Sequence, residues 1–394
     1  MNRYRAILVC ILLLAASGCG RRYRLTPEQM AEPSAWPFYR GGLAALGSLE
    51  TGDFDGRLDV VWEQRSGDKP AGPLALHYGV LVYPGSTNKI KFYDEYDGSY
   101  RGCWRARNPA QTGLSMQDSL AFFCTAPVKD RLCCVDLRRR ASVWNRPVKD
   151  ATAGTIIIDN QLIVGSAAGV LSAFDVTDGR LLWSLETSGR FTAPPSFGAG
   201  KLFQCGDNGV LYRVSPHDGS ELYRVELGGP LVGAAAVSDR VYVADMAGTV
   251  YAIEPEDGHV VWQTKLDGNV WTSPAVSADL VFVGHSGGEV VALNAVTGRP
   301  AWRFRTEEVV RASVIVVGRF VVVGTMGGKL FCLDAASGAL VDQRQLRGAI
   351  AQAPVTDGER VYVATQKGRI VCFGNSPQEL GHEDQREHSA DGPQ

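Results

Sequence analysis

Five stretches of this chain can be laid one over another: GVLSAFDVTDGRLLW (169–183), GVLYRVSPHDGSELY (209–223), GTVYAIEPEDGHVVW (248–262), GEVVALNAVTGRPAW (288–302) and GKLFCLDAASGALVD (328–342). Each opens on glycine, alternates side chains for five or six residues and turns through a second glycine. In four of the five an aromatic follows four residues later. Alternation with period two is the mark of a strand, and Asp-Gly, Thr-Gly and Ser-Gly pairs supply the positive φ of tight turns. The turn glycines 179, 219, 258, 298 and 338 are 39 or 40 residues apart. A unit of that length holds about four short strands and cannot bury both faces alone, so units must stack around an axis. The expectation is an all-β chain folded as a β-propeller.

The blades are counted from the residue that ends each unit. Trp62, Trp104, Trp144, Trp183, Tyr223, Trp262 and Trp302 mark seven outer strands, and Asp342 takes the eighth place, with spacings of 42, 40, 39, 40, 39, 40 and 40. Hairpins leading to KIKFYD, RLCCVD, VLSAFD, VLYRVS, TVYAIE, EVVALN, KLFCLD and RIVCFG also number eight. The last hairpin has no outer strand after it, and LDVVWEQR (58–65) has no hairpin before it. Pairing these two halves predicts an eight-bladed ring closed by an N-terminal strand, with no free seam. The chain then divides into residues 1–18, a tether and lead-in segment (19–57), the propeller (58–373) and a polar, disordered tail (374–394).

The 394 residues carry 40 basic and 42 acidic side chains, net −2, which gives no electrostatic reason to bind nucleic acid. The start, MNRYRAILVCILLLAASGCG, has a basic n-region (Arg3, Arg5) and an apolar run from Ala6 to Ala15. That run is shorter than the about 20 residues a spanning helix needs. It resembles a bacterial lipoprotein signal whose small residues lead to Cys19, the expected site of acylation. Two or more acyl chains suffice for stable anchoring. Gly20 follows in place of an inner-membrane retention aspartate, so the expected location is the outer membrane, facing the periplasm.

The units GTVYAIEPEDGHVVW and GEVVALNAVTGRPAW resemble the PQQ-like repeat, over roughly residues 36–373, with WPFYRGG (36–42) similar to the lead-in segment of such propellers. One branch of that family comprises quinone-dependent dehydrogenases with calcium on the propeller axis. Another includes the lipoprotein propeller subunit of the outer-membrane β-barrel assembly machinery. Length, signal and short blades resemble the second, which implies a non-enzymatic scaffold with a barrel-assembly partner. The rival readings are a dehydrogenase, or a propeller module of another envelope complex. Calcium needs several converging oxygens and proton abstraction a placed carboxylate. The axis-facing segments KDATAG, GRFTAP, GPLVGA, NVWTSP, VVRASV and AIAQAP hold no cluster of carboxylates, and the adjacent Glu307 and Glu308 read as a solvated loop. No cofactor and no metal are expected.

The adjacent cysteines in RLCCVD fall on one strand, where neighbours point to opposite faces. Cys134, Cys332 and Cys372 occupy a slot that holds Ala173, Ala252 and Ala292 elsewhere, and Cys205 one that holds Gly165, Ala244 and Gly284. Free cysteine fills such places as a small hydrophobe. Cys103 and Cys124 lie outside these slots, and a bridge between them stays open.

Scaffold positions recur from blade to blade, so specificity should sit where the blades differ. Before the inner strands that position reads Thr152, Thr192, Leu231, Trp271, Arg311 and Ala351. Trp271 and Arg311, with Arg190, Phe191 and Arg347 nearby, are expected around one channel mouth. Arginine and tryptophan are favoured anchors in protein interfaces.

Overall fold

The computed structural model describes residues 23–31, 36, 37, 39–50, 52–110, 112–125, 130–151 and 153–374. Cys19, Thr152 and the segments 1–18 and 375–394 lie outside the described residues. The strands form eight antiparallel sheets, one per blade, at 75–105, 115–147, 155–186, 196–226, 236–265, 275–305, 315–345 and 355–374. We number them blades 1 to 8. Blade 3 is typical: Thr155–Ile158 lies innermost, followed outward by Gln161–Gly165, Val170–Asp175 and Leu181–Glu186. The middle strands are buried on both sides, whereas the outer strand alternates, as Glu221–Glu226 does throughout its length. Each outer pair carries a bulge, which in six of the eight falls immediately before the repeat aromatic. Such bulges add the twist that a propeller blade needs.

Blade 8 takes its outer strand from the other end of the chain. Val60–Arg65 pairs antiparallel with Arg369–Gly374, Trp62 opposite Cys372. Ring closure by an N-terminal strand is therefore as expected.

The repeat aromatic locks each blade to the next. The indole Nε1 donates to a backbone carbonyl of the following blade: Trp62 to Glu95 (3.0 Å), Trp144 to Val176 (2.8 Å), Trp183 to Pro216 (3.1 Å), Trp262 to Ala295 (2.9 Å) and Trp302 to Ala335 (2.9 Å). The ring lies on the turn glycine of that blade. A Cβ on Gly179 would come within 2.5 Å of Trp144, and one on Gly219 within 2.3 Å of Trp183. Glycine is thus required twice over, for its φ of about 70° and for the ring seated on it. Tyr223 makes the same lock through its hydroxyl, to Pro255 (3.0 Å).

Two seams depart from this rule. At blades 7 and 8 the adjoining chain is the entering strand, with no turn glycine. There the Asp342 carboxylate accepts the Leu58 N–H (2.8 Å) and Arg344 donates to the Leu58 carbonyl (2.9 Å). At blades 1 and 2 the register corrects the sequence reading. Gly102, not Trp104, faces Phe92 in the place where Trp183 faces Ala173. The turn of blade 2 carries Arg140 in the glycine position, at φ 57°. A side chain there occupies the space an indole would take.

Tyr23 fills that gap. Its ring stacks on Phe92 (centroids 4.1 Å apart, planes 17° apart), its N–H donates to the Cys103 carbonyl (3.3 Å), and Leu25 donates to Leu137 (3.2 Å). Both side chains are buried.

Candidate functional site: a blind channel and its open rim

The lead-in segment runs from blade to blade beneath the ring. Backbone N–H groups of successive inner strands donate to it: Leu76 to Trp36, Met116 to Pro37, Phe197 to Leu43, Val237 to Ala44, Val276 to Leu46 and Val316 to Gly47. Ser48–Leu49 adds to blade 7 as a short parallel strand. Arg40 is buried and fans into four carbonyls, those of Pro274 (2.7 Å), Val314 (3.0 Å), Ala45 (3.3 Å) and Leu46 (3.4 Å). These donors lie within the inner strands, on the hairpin side of the residues that lead into them. The segment therefore floors the channel on that side and leaves the end at the entering loops open.

From the open end the channel is a cup of about 200 Å³, lined by Gly72, Pro73, Thr112, Ser115, Thr155, Thr192, Pro194, Val232, Gln352 and neighbouring small residues. Hydroxyls knit its wall: Ser115 donates to the Thr155 carbonyl (2.5 Å), Ser273 accepts from the Ala234 N–H (2.8 Å), and Ser313 accepts from the Ser273 N–H (3.0 Å). Among the described residues the lining contains no carboxylate. A quinone with calcium does not fit this wall, because neither a ligand set nor a base is provided. Glu308 is turned away to Thr325 (2.5 Å) and Lys329 (3.6 Å).

The rim of the cup is formed by loops that enter the inner strands. Here the structure brings Trp271 and Arg311 together, the guanidinium 5.3 Å from the indole centroid. Arg311 is exposed and Trp271 partly so. Arg190 is also exposed, 3.7 Å from Asp207, in the loop between blades 3 and 4. Arg347 instead borders a separate hollow at the seam of blades 7 and 8, with Glu63 and Arg369. Phe191 is a correction. It is fully buried, edge-on to Tyr212 (5.8 Å) and against Gly165, so it offers no surface. Phe191, Leu231, Val270, Val310 and Ile350 form one series, each with no exposed surface. Their spacing of 39 or 40 and shared apolar character were the signal that separates them from the rim. The same register moves Leu231 out of the variable position and puts Val232 in it.

The seven described cysteines are free, Cys103 and Cys124 included. Cys133 faces Phe123 across the sheet and packs toward blade 1, while Cys134 faces Phe122 and packs toward blade 3. Burial pushes the Cys133 thiol up to about 11 and the Cys134 thiol up to about 12. Neither is poised for redox chemistry. Unfolded in denaturant without reductant, all seven should react with a maleimide; a count of five would show a bridged pair.

Eight blades of a forty-residue unit, locked by tryptophan on glycine and closed by an N-terminal strand, define a propeller of the PQQ-like repeat class. The family model described as outer membrane protein assembly factor BamB matches residues 59–200, 167–239 and 207–393, and the chain belongs to that family. Among curated relatives, the outer membrane protein assembly factor BamB of Pseudomonas aeruginosa is 34% identical over 157 residues, covering 35% of this chain and 40% of the relative. That of Alkalilimnicola ehrlichii is 28% identical over 137 residues, 32% of this chain and 36% of the relative. The matched stretches thus span well under half of those relatives. In three dimensions the chain is similar to BamB from Moraxella catarrhalis (TM-score 0.72, 19% identity, 81% of this chain and 100% of that one). It is also similar to the quinohemoprotein alcohol dehydrogenase of Comamonas testosteroni (TM-score 0.74, 12% identity, 90% and 83%). At these identities the two structures establish the fold alone.

Proposed function

We propose that this chain is a non-enzymatic scaffold of outer-membrane protein assembly, anchored through an acylated Cys19 and facing the periplasm. It binds a barrel-assembly component through the open face of the ring. The observation that carries this reading is the blind cup. Its floor is sealed by the chain's own lead-in segment and its wall carries no carboxylate among the described residues, so what remains for recognition is the rim. There Trp271 under Arg311 makes a preformed aromatic–cation pair, with Arg190 exposed further round the ring, between blades 3 and 4. Such pairs are favoured interface anchors, with little side-chain freedom left to lose on binding.

Pull-down from solubilised membranes should recover a barrel-assembly component, and Trp271→Ala with Arg311→Glu should cut the recovery at least about tenfold, a loss on the scale of one interface hot spot. Reproducible capture of another envelope complex alone, or a variant that binds undiminished, would overturn the reading. Quinone and calcium added to the purified protein should give no dye reduction with alcohols or sugars. For the anchor, Cys19→Ala should release the protein from the membrane fraction, and continued partitioning would count against acylation.

A further inference from the structure

The seam between blades 1 and 2 has lost its tryptophan lock and is completed by Tyr23 and Leu25, which fixes where the N-terminal tether leaves the ring. The residues responsible are themselves cationic. Blade 2 replaces the usual turn with Leu137-Arg138-Arg139-Arg140, and Arg24 lies across it, its Nε donating to the Arg138 carbonyl (3.0 Å). Arg24, Arg138, Arg139 and Arg140 are all exposed, Arg139 with 80% of its side chain in solvent. The carboxylates beside them are largely occupied. Asp136 accepts the Arg138 and Arg139 N–H groups (2.8 and 3.0 Å) and lies 3.5 Å from the Arg139 guanidinium, and Asp94 is paired with Arg101. Glu28 also borders the hollow that Arg24, Arg101 and Arg140 share.

We infer that this arginine rim is a membrane-facing surface, held by Tyr23 against the anionic headgroups of phospholipids. The inference rests on the anchor reading for its geometry. Three residues separate Cys19 from Tyr23, and four such steps of chain span at most about 14 Å in any conformation. An acylated Cys19 therefore sets this rim within reach of the lipid phosphates. Arginine pairs with phosphate bidentately, and basic clusters beside an anchor add attraction that salt screens. The ring would then stand on the edge of blades 1 and 2, leaving the cup's open face clear of the bilayer.

The test uses the unacylated chain from residue 20 onward, which contains every residue of the described fold, and flotation with lipid vesicles. At low salt the protein should float with phosphatidylcholine vesicles containing about 30 mol% phosphatidylglycerol, but not with phosphatidylcholine alone, and raising the salt should abolish flotation. Arg138→Glu/Arg139→Glu/Arg140→Glu should cut the bound fraction at least about tenfold, whereas Arg303→Glu/Arg305→Glu across the ring in blade 6 should not, since only the former cations reach the surface. Unchanged melting of both variants would show that folding is intact. Equal flotation of the two variants, binding to neutral vesicles, or none to anionic ones would overturn the inference. Because no acyl chain is present, these outcomes are independent of whether Cys19→Ala releases the protein from membranes.

Discussion

Trp144→Ala should lower the free energy of unfolding by about 3–5 kcal/mol, read as the shift of the midpoint in equilibrium denaturation with an unchanged slope. The indole is 5% exposed, packs beside Phe122 and sits on Gly179, with its Nε1 bonded to the Val176 carbonyl. Truncation removes the ring, leaves a cavity at the seam of blades 2 and 3 and strips a buried carbonyl of its donor. The loss is larger than for a core leucine because it also unlocks two sheets from one another. Trp104→Ala is the internal control. That tryptophan is half-buried, two residues beyond the docking position, and lines an outer groove with Phe123 and Cys133. Its replacement should cost distinctly less, and equal costs for the two variants would refute the docking role assigned to register rather than to residue type.

The second large effect is expected at Arg40. Arg40→Ala leaves buried carbonyls of Pro274 and Val314 without a donor, each at about 1–3 kcal/mol. The floor should come away before the ring unfolds, since the blades keep their own ladders. Amide exchange reads this directly: the N–H groups of Phe197, Val237, Val276 and Val316, which donate to the lead-in segment, should lose protection while mid-blade amides such as Val243 keep theirs. Arg40→Lys should rescue only in part, because a single ammonium cannot match the planar fork. Retained protection at those four amides in Arg40→Ala would show that the guanidinium does not hold the floor.

Much of the ring was legible because it repeats. Glycine spacing, alternation and the unpaired first and last strands gave the blade number and the closure, and the cysteine slots followed from the same alignment. The legible part ended where the repeat lapses. Trp104 looks like its siblings by letter, but the ladder counts residues across a bulge, and only the pairing of Phe92 with Gly102 reveals the displacement. Asp342 breaks the pattern for a reason that lies 284 residues away, at Leu58. Phe191 was readable as core by its apolar kin at 231, 270, 310 and 350, although its aromatic character beside Arg190 suggested a surface anchor. The floor and the Tyr23 dock depend on tertiary contacts of an aperiodic segment, for which sequence pattern carries no signal.

The residues ahead of blade 1 mend three defects: the unlocked seam of blades 1 and 2, the open channel end and the missing outer strand of blade 8. The last of these pairs Val60–Arg65 with a strand that begins at Arg369. A chain emerging N-terminus first must therefore hold that strand unpaired until nearly everything else has arrived. Closing so long a loop carries an entropic penalty that local blade formation does not, so closure should be the slow final step of folding. Until then the exposed edge invites pairing with other chains. A protein of this design needs shelter at birth more than it needs it once the ring has shut.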